Sequence, residues 1–436
     1  MGLNNTRGLF GGNRQTKLTE TAYRTAALHK MSGNGRGGFA FNGTPATESK
    51  IVYTNTIKLQ VDAPFSAVQL LALNRNATAI TGLKAMVGVT ETADRSNGTN
   101  LGVPVINGVG YPALAGATNV NGFMPITWAG ANSGSMGVAT TAPTIAISDR
   151  IPVSSIPRTD GGAGYLLLQR TCIDGTVTPF QFNQYSNLLR TPTAAARNRI
   201  LQSSCIFVDG VSNPGFTNWI DANISHEVWP ILHYNTPVFS VWSVGDSISQ
   251  CDMLVADYAS TWVYRACMDL STEKNPVIFA NFGASSQTAS TYFSIARQHL
   301  AAGVPPPSCL VISPISVNDA ALNPRLASEQ LARATEAVKL AQDYRIPYLI
   351  MFPWMPNENY TAAQEDYRLA ANKQIKQFCS INNITFIEFP GMGNGAYPEK
   401  YKDEYRYLTS PSVHPNELCI ENVMTVSVRT AIASLL

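Results

Sequence analysis

From about residue 236 onward the chain alternates short, unbroken apolar runs with stretches of helical periodicity, and few folds accommodate that rhythm. The runs are Pro237–Val244, Pro276–Ala280, Cys309–Ile312, Tyr348–Phe352 and Ile384–Phe389. A strand that is apolar at nearly every position is covered on both faces, the condition of a parallel sheet held between helical layers. The clearest helical stretch is Leu326–Tyr344, where Leu331, Ala334, Val338 and Ala341 share one face and Glu329, Arg333 and Glu336 fall elsewhere. Strand, helix, strand, helix predicts a parallel sheet with right-handed crossovers. Such sheets gather their functional residues at the carboxyl ends of the strands.

Upstream the pattern is different. Ile51–Val61 alternates apolar and polar residues with many β-branched side chains, as a half-buried strand does. Similar runs occur at Ser66–Leu73, Thr144–Ile147, Gly164–Gln169 and Cys205–Val208, with Gly- and Asn-rich stretches such as Gly108–Gly122 between them. This predicts a β-rich domain over 51–235, an antiparallel sandwich of jelly-roll type. Residues 1–50 hold nine glycines and a net charge of +5, and read as a flexible basic arm with one short helix near Leu18–Met31. A length of 436 residues fits two domains and a tail.

The whole chain carries 31 basic and 29 acidic side chains, a net charge of +2, which excludes a whole-chain nucleic-acid binder. No apolar run approaches the ~18 residues that span a bilayer. The seven cysteines (Cys172, Cys205, Cys251, Cys267, Cys309, Cys379 and Cys419) show no CxxC spacing and read as buried thiols. No His/Cys/Asp cluster has metal-ligand spacing, so no metal or cofactor is expected. Gly33–Gly38 lacks the strand and helix that a nucleotide loop requires. Gly2 and Thr6 formally fit an acylation pattern that arises often by chance. The N-terminus has no charged-then-apolar leader pattern, and the low charge with abundant Gly, Asn, Ser and Thr fits an extracellular or virion surface.

Polar residues collect at the ends of the apolar runs. The first closes in Gly245-Asp246-Ser247, feeding a helix expected near Ser249 or Gln250; the second closes in Asn281-Phe282-Gly283. The third closes in Ser316-Val317-Asn318-Asp319, and Val413-His414-Pro415-Asn416 precedes the last helix. Each is weak alone; the four in this order are specific. Over residues 236–436 the chain resembles the SGNH, or GDSL-type, hydrolase superfamily. That resemblance implies an α/β/α sandwich, with Ser247 as nucleophile and His414 as base. It also implies an oxyanion hole of the Ser247 amide, the Gly283 amide and the Asn318 side chain.

Two positions depart from the family pattern. Ser316 stands where the family has glycine, and Pro411 stands where it has the acid that orients the histidine. A Ser–His dyad is therefore expected, its imidazole held by a backbone carbonyl near Thr409–Pro411, with Asp403, Glu404 or Glu417 as substitutes. Histidine suits the base because its ordinary pKa is about 6.5. Of the others, His29 falls in the arm, His299 on a helix surface, and His226 and His233 read as structural. Asp246 and Asp319 read as residues that tie their turns together. Trp354 and Tyr360 fit either a sugar-stacking cleft or the core, and Trp219, Trp229, Trp242 and Trp262 read as packing.

The expected activity is a serine esterase that removes acyl groups, acetyl first among them, from a polysaccharide or a small ester. The carbohydrate part rests on the resemblance of a β-rich module plus an SGNH domain to acetyl-polysaccharide esterases. The alternative is a virion or cell-surface binding protein of phage-tail type with a degenerate domain, attached through the N-terminal arm.

Overall fold

A computed structural model describes residues 22–30, 38–40, 51–75, 77–90, 123–140, 143–156, 164–173, 200–208, 211–213, 218–220, 226–250, 261–322, 327–406 and 413–436. The 1–21 stretch with Gly2 and Thr6, the Gly33–Gly38 motif, the Gly108–Gly122 loop, Cys251 and the Thr409–Pro411 carbonyls lie outside these residues, wholly or in large part. So do the side chains of Cys172, Cys205, Trp219 and His226. The chain forms two compact units, one of residues 1–34 with 237–436 and one of residues 35–236.

In the larger unit five strands pair in parallel. Phe239–Gly245 lies between Val277–Gly283 on one side and Cys309–Ile312 on the other. Tyr348–Met351 and then Thr385–Phe386 continue outward. The sequential order is 2-1-3-4-5, and the strand sequence reverses direction beside the first strand, the crevice where open α/β sheets bind ligands. Helix Trp262–Leu270 packs on Thr425–Ala433, while Ala327–Asp343 packs on Ala289–Ala301 and Ala362–Ile381. The sheet between them is mostly parallel and every residue of Val277–Gly283 and Cys309–Ile312 is buried. Trp242 stacks against Phe282 at 4.3 Å, and Trp262 meets Phe352 and Phe389 edge-on. Leu331, expected on the apolar face, is 38% exposed, whereas Ala334, Val338 and Ala341 are buried as expected, together with Ala337 and Leu340.

The helix expected within Leu18–Met31 is a strand, Arg24–Leu28, and residues 22–30 are not a solvated arm. Ala27, Leu28 and Lys30 are fully buried. Lys30 bridges Ala280 in parallel, and its carbonyl accepts from the Asn281 amide at 2.6 Å. The physical reason is non-local. Arg24–Leu28 pairs with the strand His226–Gly245, and such backbone partners are worth more to this segment than a marginal helix. Arg24 ties the other end to the Arg345 carbonyl at 2.7 Å.

His29 is buried on that segment, and burial pushes its pKa down to about 3. Between pH 3 and 6.5 the unfolded chain therefore binds a proton that the folded chain refuses, so stability rises with pH across this window. At pH 4.5 the penalty from this one group is about 3 kcal/mol relative to neutral pH. Thermal melts of wild type and His29→Gln at pH 7 and 4.5 measure it: the variant should lose less stability on acidification. Equal losses in both proteins would show that His29 does not carry the effect.

The smaller unit is antiparallel. Its spine is Ile51–Asn74, a single 24-residue strand where two were expected. Its first half pairs with Gly164–Ile173 and Ile200–Val208, its second with His226–Tyr234 and Thr144–Ile147. The register slips between Gln60 and Phe65, where Pro64 has no amide to give the ladder. His233, held by Gln69 at 2.7 Å, is structural here, and burial lowers its pKa to about 4. The strand His226–Gly245 supplies residues to both units.

Candidate active site

The first parallel strand ends at Gly245, and Asp246 begins a helix at once. Its carboxylate accepts from the Ile248 amide at 3.0 Å, an N-cap that starts the Ser247–Gln250 helix two residues earlier than expected. Ser247 thus holds the first helical position, where its own amide has no partner within the helix. Burial raises the Asp246 pKa, opposed by donors from Val317, Ile248 and the Ser316 hydroxyl. Asp319 is likewise a turn residue, accepting from the Ser316 and Ala289 amides.

His414 comes from a loop 167 residues further on, yet its Nε2 lies 2.8 Å from Ser247 Oγ, and both side chains are buried. A hydroxyl and an imidazole at this distance can pass a proton directly. Asp403 pairs with Arg406 and Glu417 with Arg265, both carboxylates well exposed. Glu404 offers its carbonyl to Asn416.

Two expected oxyanion donors are engaged elsewhere. The Gly283 amide donates to Asn281 Oδ1 at 2.8 Å. Its glycine identity has another cause: a Cβ there would lie 2.6 Å from Gln250 Cα and 2.7 Å from the Ser249 carbonyl carbon. The helix that carries Ser247 rests on this residue. Asn318 Nδ2 donates to the Gln287 carbonyl at 3.0 Å and contacts Ser316 Oγ at 3.2 Å. Ser316, in place of the family's glycine, sends its hydroxyl to Asp246 and Gln287 and accepts the Asn318 amide, so it joins three strand-end segments.

Ser286, which the sequence did not single out, lies in the same turn. It adopts φ +60°, a left-handed conformation uncommon for a side-chain-bearing residue. It directly follows Ser285, whose amide donates to Gln250 Oε1 at 2.6 Å. Among the described residues no acceptor meets the Ser286 amide. A glycine at this position would have announced the turn; a serine gives no such signal.

The remaining candidates are packing. Trp354 and Tyr360 are buried and bonded to each other, which leaves no stacking platform. His299 is fully buried rather than on a surface, its Nδ1 on the Ile295 carbonyl at 2.8 Å and its ring edge-on to Phe282. Trp229, Trp242 and Trp262 are core. Cys267, Cys309, Cys379 and Cys419 are buried free thiols, and burial holds Cys379 and Cys419 up near 12. Among the described residues no cluster is placed to hold a metal ion, and no helix is long and apolar enough to cross a membrane.

No family model matches the chain, and no curated protein matches it by sequence. Solved structures do resemble it. A GDSL-like lipase from Bacteroides thetaiotaomicron is 20% identical over 45% of this chain and 89% of its own, with a TM-score of 0.35. The psychrotrophic esterase EstA from Pseudoalteromonas sp. is 15% identical over 44% of this chain and 96% of its own, also at 0.35. A family two carbohydrate esterase from Clostridium thermocellum, solved in complex with cellohexaose, is 10% identical over 94% of this chain and all of its own, at 0.37. These neighbours are named as a lipase and two esterases.

Proposed function

We propose that the larger unit is a serine ester hydrolase that removes acyl groups, acetyl foremost, from carbohydrate. The observation that carries the reading is the 2.8 Å contact between Ser247 Oγ and His414 Nε2 at the carboxyl end of a parallel sheet. His414 takes the Ser247 proton as Oγ attacks the ester carbonyl. The tetrahedral oxyanion is met by the amides of Ser247 and Ser286. The Asn318 carboxamide joins them by giving up its longer contact, that with Ser316. The imidazolium then protonates the departing alkoxide, leaving an acyl-serine. Water, deprotonated by the same imidazole, releases the acid and restores Ser247. Donors fixed before charge develops are worth about 10²–10³ in rate each.

A dyad, rather than a triad, is supported by Pro411 in the acid's place and by the arginine partners of Asp403 and Glu417. The carbohydrate part rests on analogy, a β-rich unit accompanying an SGNH-like one. A degenerate domain that only binds is the weaker reading, because the hydroxyl and the imidazole are kept within proton-transfer distance.

The reading is tested by treating the protein with an alkyl fluorophosphonate and mapping the adduct by mass spectrometry, alongside acetate release from acetylated xylan. A single adduct on the peptide of Ser247, with acetate release blocked in proportion, is expected. Labelling spread over surface residues, with no loss of activity, would reject the serine mechanism. Release from p-nitrophenyl acetate but not from acetylated glycans would remove the carbohydrate part alone.

A further inference from the structure

The His414 imidazole reaches Ser247 only if the loop that carries it is held in place, and the backbone on either side of the histidine shows how it is held. On one side, the hydroxyl of Tyr401, a fully buried residue, donates to the carbonyl of Val413 at 3.1 Å. On the other, Pro415 bridges Arg406, the Asn416 amide donates to the Tyr405 carbonyl, and Asn416 Nδ2 donates to the carbonyls of Glu404 and Arg406. The peptide that precedes His414 and the two residues that follow it are thus held by one short segment, residues 401–406.

The segment itself is anchored. The Tyr401 amide donates to Glu358 Oε1 at 3.1 Å, and Tyr401 bridges Gly393 across an antiparallel pair. The Lys402 amide donates to the Met392 carbonyl, and Arg406 faces the buried Glu358 carboxylate at 3.4 Å. A tyrosine hydroxyl reaches the Val413 carbonyl from a rigid ring with two side-chain torsions, so little freedom is lost in making the bond. Burial also pushes that hydroxyl well above the usual tyrosine range, so it stays a donor throughout the pH range in which a histidine base works.

We propose that Tyr401 is a positioning residue for His414: its hydroxyl, clamped onto the Val413 carbonyl, holds the loop so that the imidazole meets Ser247. This rests on the hydrolase reading above. Tyr401 touches no reacting atom, and its effect passes through the backbone. It therefore acts on the chemical step and leaves the binding of the ester alone.

The test is Tyr401→Phe, which keeps the ring and deletes one hydroxyl. Steady-state turnover of p-nitrophenyl acetate should show kcat lowered by roughly 10- to 100-fold with KM within a factor of two. Glu358→Ala, which loosens the Tyr401 backbone without touching the ring, should show the same split at smaller size, and serves if the first variant does not fold. Nitrogen-detected NMR of the His414 side chain gives a readout independent of turnover. Tyr401→Phe should shift its Nε2 signal in the direction that Ser247→Ala does, because both break the contact between hydroxyl and imidazole. Unchanged kcat and an unmoved Nε2 signal in a folded variant would overturn the proposal. If wild type and Ser247→Ala turn over ester equally, the hydrolase reading fails, and the NMR comparison alone then decides whether Tyr401 aims the ring.

Discussion

Replacing Ser247 with alanine is expected to lower kcat for p-nitrophenyl acetate by on the order of 10⁶, and His414→Ala to do nearly the same. The double variant should lose no more than either single one. In the proposed mechanism the hydroxyl and imidazole, 2.8 Å apart, act as one nucleophile. Removing either removes the whole covalent route, and residues that act as a unit are grossly non-additive. What survives in all three variants is the catalysis due to oxyanion donors and substrate binding, worth ~10³–10⁴ over water in serine hydrolases stripped of their nucleophile. Each variant should also stop reacting with the fluorophosphonate. Losses that multiply in the double variant would mean that the two residues serve separate steps. Full turnover in Ser247→Ala would move the nucleophile elsewhere in the chain.

What the sequence disclosed and what it hid divide along a physical line. Cys309–Ile312 was legible to the residue, because four consecutive apolar positions between two serines admit only a strand covered on both faces. Helix Ala327–Asp343 was legible from its period, and helix Ala362–Ile381 starts where a capping box of Thr361 and Gln364 reciprocates. The meeting of Ser247 and His414 was anticipated because their residue types and order are chemically restrictive, although 167 residues separate them. Features decided by distant partners were not legible. Arg24–Leu28 is a strand only because the distant strand His226–Gly245 pairs with it, and nothing in Arg-Thr-Ala-Ala-Leu says so. Ile384–Phe389 shrinks to Thr385–Phe386, whose ladder partners are Ile350 and Met351, while the Ile384 amide turns back to the Cys379 carbonyl. Ser286 takes a left-handed backbone that its side chain would not advertise. Gly283 was picked out for its amide, while the space it leaves for the Gln250 backbone was not legible, since sequence cannot distinguish a glycine that lends its amide from one that makes room.

That distinction is open to experiment, because Gly283→Ala keeps the amide and removes only the space. If residue 283 mattered as an oxyanion donor, alanine would be nearly silent. The packing predicts the opposite. The new methyl would press on the Gln250 Cα and amide nitrogen and on the Ser249 carbonyl carbon, all backbone, and none can swing aside as a side chain does. The Ser247–Gln250 helix must lift, and the Gln250 side chain that holds the Ser285 amide moves with it. A misplacement of ~1 Å at a reacting group costs about 10² in rate. Overpacking a rigid site costs ~1–3 kcal/mol or more. Gly283→Ala is therefore expected to lower kcat/KM by at least 10²-fold and the melting temperature by roughly 5–10 °C. Gly393→Ala is the matched control: its methyl meets the carboxylate end of Glu399, which can rotate, so both effects should be several-fold smaller. Wild-type activity in a folded Gly283→Ala protein would show that the helix carrying the nucleophile does not rest on this strand end as described, and would return the Gly283 amide to candidacy.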